Sequence, residues 1–289
     1  MYNIFSTFFT LFIIFIGLVW TSKVIKNLYY RYHLTKKEYN DYKNSQEDSI
    51  SNIFPILIFT FIFRFFIFEP FQIPSTSMLP SLFVGDYILV KKFAYNIINP
   101  FNQKILFNIA HPLRGDIVIF KYPYNTNLNF VKRIIGIPGD KVQYNPFTKQ
   151  LSIYHKYNKY LYFMNLVTYK KFIKNTFQDK NILDLKNNIV VEEINNDNHY
   201  NILISKNRID QEKFYYKQKL NKLGTWNIPD GYYFVMGDNR DNSSDSRYWG
   251  LVPEENIIGK VSMIWFSLEQ NENEWPTGIR FYRIGQMIK

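Results

Sequence analysis

From Met1 to Ser22 the chain carries no Asp, Glu, Lys or Arg, and its core, IFSTFFTLFIIFIGLVW, is almost wholly apolar. A run of this length matches a bilayer, with Trp20 placed as an interfacial anchor. The positively charged start of a cleavable signal peptide is missing, so residues 1–22 are expected to form a lasting span. A second run, IFPILIFTFIFRFFIF from Ile53 to Phe68, is short enough to be a buried core helix instead. Its one charge, Arg64, lies near an end where a long side chain can reach the headgroups. Ser51 and Asn52 could lengthen it, giving a second expected span over 51–68.

Between the two lies a polar loop, 23–50. Lys23, Lys26, Arg31, Lys36, Lys37 and Lys43 stand there against Glu38, Asp41, Glu47 and Asp48. Lys and Arg near span ends set topology and acidic residues count little, so this loop is expected in the cytoplasm. Both termini, and residues 69–289, are then expected outside the cytoplasmic membrane.

Composition narrows the chemistry. No cysteine is present, so there is no disulfide framework, thiol nucleophile or thiolate metal site. His33, His111, His155 and His199 are scattered without ligand spacing, and no metal or other cofactor is expected. The net charge of +11 is spread along the chain rather than gathered on a binding module, which argues for anionic lipid as the neighbour and against nucleic acid.

After Phe68 the pattern alternates. DYILVKKF, GDIVIFKYP, NFVKRIIGIPGDKVQY, GYYFVMGDNR and IIGKVSMIWF are β-branched and aromatic runs set off by Gly and Pro. The expected fold is mainly β: an antiparallel sheet domain following two N-terminal helices. From about 151 to 224 Lys, Asn and Tyr dominate and no chemical motif appears, so this stretch is expected to be an inserted subdomain.

The stretch QIPSTSMLPSL, Gln72 to Leu82, sets Ser75, Thr76, Ser77 and Ser81 between two prolines. It can be a loop of turn formers, or it can hold a nucleophile that needs a base. No GxSxG elbow is present and no histidine is well placed. In FVKRIIGI, alternation puts Lys132 on the same strand face as Phe130 and Ile134. There it is either an ordinary edge-strand lysine or a desolvated one able to accept a proton. A third stretch, MGDNRDNSSDSRYWG, fails calcium-loop spacing: counted from Asp238, Ser243 falls where glycine belongs and Trp249 where glutamate belongs. It suits a hydrogen-bonded network instead.

Taken in order, IPSTSMLPSL, GDYILVKKFAY, RGDIVIFKYP, VKRIIGIPGDKV, GDNRDNSSDSRYWG and WPTGIRFYRIG resemble bacterial type I signal peptidases, the membrane-bound Ser-Lys leader peptidases. The resemblance implies Ser77 as nucleophile and Lys132 as general base. It implies an oxyanion hole from the Ser75 hydroxyl and the Ser77 N–H, with Ser243 orienting the lysine amine. Asp238, Asp245 and Arg247 would be a structural network, and Phe71, Ile73, Leu82, Ile88 and Val131 the walls of a pocket for small side chains. Thr76, where a smaller residue is common, is expected to matter little. The implied partners are signal-peptide-bearing precursors and membrane lipid. Two rivals share features: a self-cleaving repressor-type Ser-Lys peptidase, which has no reason for two spans, and an inactive membrane-anchored β scaffold, which has no reason to keep Ser75, Ser77, Lys132 and Ser243 together.

Overall fold

The computed structural model of the chain describes residues 2–35, 38, 53–62, 67–98, 105–156, 162–166, 168–171, 187–195, 198–208 and 211–288. The chain divides into two compact units, the first holding Met1–Phe68 and Ile98–Lys104 and the second Glu69–Ile97 and Ile105–Lys289.

In the first unit, α1 runs from Tyr2 to His33, 32 residues without a proline. It does not stop near Ser22 as the charge pattern implied. The Thr21 and Ser22 hydroxyls donate to the Leu18 and Val19 carbonyls one turn back, so these polar residues are satisfied inside the helix. The helix then continues through Lys23 and Lys26 to His33, with the Arg31 cation in its last turn, where positive charge suits a helix C-terminus. Phe12–His33 is long and apolar enough to cross a bilayer, and it is the one such helix among the described residues. The second helix, α2, covers Phe54–Ile62, nine residues. At 1.5 Å per residue that is about 14 Å, roughly half a bilayer core, so the two-helix expectation is not met by the described residues. Residues 63–66, with Arg64, and half of the polar loop (36, 37 and 39–50) lie outside them. Trp20 of α1 packs on Phe54 of α2, ring centroids 5.3 Å apart.

The second unit is built of strands. They are β1 (Phe68–Gln72), β2 (Asp86–Lys91), β3 (Asn96–Ile98), β4 (Ile105–Asn108), β5 (Ile117–Tyr122), β6 (Asn125–Gly136), β7 (Lys141–Tyr144), β8 (Leu151–Lys156), β9 (Tyr162–Leu166), β10 (Thr168–Lys171), β11 (Asn188–Asn195), β12 (Asn198–Ser205), β13 (Thr225–Asn227), β14 (Tyr232–Met236), β15 (Val252–Pro253), β16 (Ile257–Glu269) and β17 (Gly278–Ile279). The main sheet has the order β1-β2-β16-β5-β6-β14-β15, with β17 on β16. Its pairings β2–β16, β16–β5, β5–β6 and β6–β14 are antiparallel. The expected antiparallel sheet is therefore present.

The region expected as an insertion, 151–224, is less separate than its composition implied. Parts of it (157–161, 167, 172–186, 196–197 and 209–210) lie outside the described residues. In a second sheet, ordered β13-β7-β8-β9, β8 pairs onto β7, which precedes the region, β9 pairs onto β8, and β13, which follows the region, closes on the other edge of β7. One core cluster unites Leu151, Ile153, Val191, Tyr200 and Ile202 with Phe234 and Met236 of the main sheet. The reason is positional: apolar residues of these strands face inward while Lys and Asn face out, so average composition hid a buried face. At Gly136, where β6 leaves the main sheet, a Cβ would strike the Ile228 and Val142 side chains, so the close approach needs glycine.

Trp226 is fully buried at the centre of this shared cluster, and its indole N–H donates to the Tyr216 carbonyl at 2.7 Å. Trp226→Ala is expected to cost about 3–5 kcal/mol, read as a lowered urea or thermal midpoint in detergent.

Candidate active site

Ser77 occupies a single 3-10 turn, Thr76–Met78, between β1 and β2. Met78, Ile73, Leu82 and Ile88 bury together beneath it, which fixes the turn's apolar side and leaves Ser77 half-buried on the other. Lys132 lies within β6, opposite Val118 of β5, and only 5% of it is exposed. Its Nζ lies 2.7 Å from Ser77 Oγ and 5.7 Å from the centre of the Phe130 ring. Alternation along β6 thus delivers the lysine to Ser77 in aromatic company.

Burial lowers the Lys132 amine from its usual value to about 8. The Asp245 and Asp238 carboxylates pull the other way, and the Arg247 charge adds to the lowering. Both carboxylates are already engaged. Arg133 grips Asp238 with two parallel bonds, Nε to Oδ1 and Nη2 to Oδ2, each 2.8 Å, and Ser81 Oγ donates to the same carboxylate. Arg247 holds Asp245 in the same way at 2.9 Å. Burial alone would raise the Asp245 carboxyl, but Arg247 and the Gly237 N–H, which donates to it at 3.1 Å, hold it below the usual carboxylate range. Asp245 also caps α3, Ser246–Trp249.

The other residues named from the sequence fall nearby with differences. Ser75 Oγ is 3.3 Å from Ser77 Oγ. Ser243 makes no bond to Lys132. It packs on Gly237, and its hydroxyl, turned toward the Asp245 carboxylate, helps hold that carboxyl low. Ile73, Leu82 and Ile88 are at most 2% exposed, so among the five pocket residues only Phe71 and Val131 present surface. His111, His155 and His199 each face a carboxylate (Glu254, Asp140 and Glu192) rather than Ser77.

Several residues escaped the sequence reading. Arg133, given no role from the sequence, is buried on the face of β6 opposite Lys132, its guanidinium 4.1 Å from the centre of the Tyr200 ring. Tyr200 donates to Glu193 at 2.6 Å, and Glu193 is ion-paired with Arg240 of the loop after β14. Burial raises the Tyr200 hydroxyl well above its usual value, and the Glu193 charge adds to this. The apparently motif-free region thus props the site from behind. Asn239 N–H donates to the Ser77 carbonyl, and at Gly237 a Cβ would collide with that carbonyl and with Ser243 Oγ. Glycine there was visible in the sequence, but its contact was not.

The family profile described as signal peptidase, peptidase S26, matches residues 46–266, so the chain belongs to that family of peptidases. Within the family it belongs with the bacterial type I enzymes. It is similar to signal peptidase I of Buchnera aphidicola subsp. Baizongia pistaciae, 48% identical over 87% of this chain and 87% of that one. It is 41% identical to signal peptidase I of Buchnera aphidicola subsp. Acyrthosiphon pisum over 99% of this chain and all of the other. With signal peptidase I of Haemophilus influenzae it shares 37% identity over 83% of this chain and 75% of that one. The chain is a hydrolase that cleaves signal peptides from precursor proteins.

Gly237→Ala is expected to leave the fold intact by circular dichroism while lowering kcat/KM for a precursor on the order of 10²-fold, since an ångström of displacement at a nucleophile has that effect.

Proposed function

We propose that the cleavage runs by a Ser-Lys mechanism, with Ser77 as nucleophile and Lys132 as the group that takes and returns its proton. The observation that carries this is the 2.7 Å contact between Ser77 Oγ and a buried lysine amine. Neutral Lys132 accepts the hydroxyl proton as Oγ bonds to the scissile carbonyl carbon. The protonated amine gives that proton to the departing nitrogen as the C–N bond breaks, leaving a Ser77 ester of the signal peptide. Water, deprotonated by Lys132, then attacks the ester and frees the carboxylate and Ser77. The Ser77 N–H and Ser75 hydroxyl stabilise the oxyanion formed in each half. Ser243 and the paired carboxylates Asp238 and Asp245 act by shaping the lysine's surroundings.

Phe71 and Val131 line the entry for the substrate, with Ile73, Leu82 and Ile88 as a filled floor beneath them. A floor this bulky leaves room only for small side chains before the cut. An extended substrate would add along a strand edge. The apolar N-terminus anchors the enzyme in the cytoplasmic membrane, with the loop 23–50 inside and the catalytic unit outside, where precursors emerge.

A lysine at its ordinary 10.5 would be neutral in about one molecule in three thousand at pH 7, whereas at about 8 the share is about one in ten. Because the shift is downward, neutral amine and activity are gained as pH rises through about 8 and lost below it. The acid limb of kcat/KM is therefore expected near pH 8, unmoved by His111→Gln, His155→Gln or His199→Gln. Ser77→Ala should be inactive, as should Lys132→Arg, whose guanidinium stays charged. A histidine variant that abolished the limb, or an active Lys132→Arg, refutes the mechanism.

For topology, a reporter fused after Lys289 is expected outside the cytoplasmic membrane and one placed within 23–50 inside. Protease added to spheroplasts that cuts the loop but spares the catalytic unit reverses the assignment.

A further inference from the structure

The turn that carries Ser77 has its polar groups claimed from outside almost one by one. Asn239 Nδ2 donates to the Thr76 carbonyl at 3.1 Å, and the Asn239 N–H donates to the Ser77 carbonyl at 3.1 Å. Asn242 Nδ2 donates to Thr76 Oγ1 at 3.0 Å. From the other side comes Glu272, in the loop between β16 and β17. One of its oxygens, Oε1, accepts the Thr76 N–H at 2.6 Å and the Thr76 hydroxyl at 2.9 Å. Thr76, expected to matter little, is thus the point where two separate loops meet the nucleophile's turn.

The first N–H groups of a helical turn find no acceptor inside it. Here the first of them, on Thr76, is occupied by Glu272, and the next, on Ser77, is the donor assigned to the oxyanion. A free Thr76 N–H one residue away would be a competing donor for the same developing charge. An unclasped Thr76 peptide could also rotate, and the Ser77 N–H would rotate with it.

We propose that Glu272 is a positioning residue for signal-peptide cleavage: by clasping Thr76 through one carboxylate oxygen, it holds the Ser77 N–H at the oxyanion and removes the neighbouring donor from competition. This rests on the Ser-Lys reading above. Two effects of Glu272 oppose each other. The clasp orders the turn, while the negative charge disfavours a nearby oxyanion. Glu272 is exposed, so its charge is screened by water and salt, whereas its short hydrogen bonds act at contact. Positioning therefore wins.

Two substitutions separate the effects. Glu272→Gln keeps Oε1 as an acceptor and removes the charge, while Glu272→Ala removes both. With the full-length enzyme in detergent and a purified precursor, Glu272→Ala is expected to lower kcat about tenfold with KM within about twofold, because the lost contact serves the transition state rather than binding. Glu272→Gln should stay within about twofold of the native kcat. Thr76→Ala should fall between them, and combining it with Glu272→Ala should lose less than the sum of the two, since the hydroxyl's bond to Glu272 is common to both while its bond from Asn242 is not. Native kcat in Glu272→Ala, a gain in both Glu272 variants, or a Gln variant as slow as Ala each overturns the proposal. Ser77→Ala, assayed in parallel, tells which idea has failed. If it is inactive while Glu272→Ala is native, only the clasp is wrong; if it is active, the Ser-Lys reading falls and the clasp with it.

Discussion

The site is organised around one buried amine whose affinity for a proton is weakened. Lys132 is buried among Phe130 and neighbouring strands, and an ammonium there would lose most of its hydration. Two carboxylates stand close enough to favour the ammonium again. Each is committed to a guanidinium, Asp238 to Arg133 and Asp245 to Arg247. Their fields at the lysine are thus partly cancelled, and Arg247 itself repels a second positive charge. Desolvation wins, and the amine settles near neutrality.

That arrangement explains why so much buried charge is tolerated around Ser77 and Lys132. A buried ion pair seldom adds stability over a well-packed apolar pair, but losing one partner is costly. Arg133–Asp238, Arg247–Asp245 and Arg240–Glu193 all lie in the interior. Their common effect is geometric. They lock the loop after β14, and through it Gly237 and Asn239, against the carbonyl of Ser77. A single strand, β6, serves both halves of this design, sending Lys132 to one face and Arg133 to the other. A slip of one residue in its pairing would exchange them and abolish the site.

The region 151–224 takes part in this support. Through Tyr200 against Arg133 and Glu193 against Arg240, the strands β11 and β12 stand behind the two arginine anchors nearest the sheet. Leu203 also exchanges backbone bonds with the loop, accepting from the Arg240 N–H and donating to the Asp238 carbonyl. The parts of the molecule richest in Lys and Asn thereby reach the turn that carries Ser77 through their few inward-facing residues.

Much was legible in the chain alone, and for a physical reason: it depends on neighbours in sequence. Strand alternation is local, so the β character and the apolar side of Lys132 could be read from FVKRIIGI. Charge-free length is local too, so the N-terminal helix was evident, though not its continuation past Ser22, which rests on hydroxyls bonding back within the helix. The hydroxyl cluster and the acidic loop could be singled out by composition. What no stretch could reveal was pairing between distant residues. Arg133 with Asp238, Glu193 with Arg240 and Glu272 with Thr76 are separated by tens to nearly two hundred positions and meet only when the sheets close. Arg133, Asp238, Glu193 and Arg240 can lie in the interior because each finds its counter-charge there, and that choice of partners belongs to the tertiary structure.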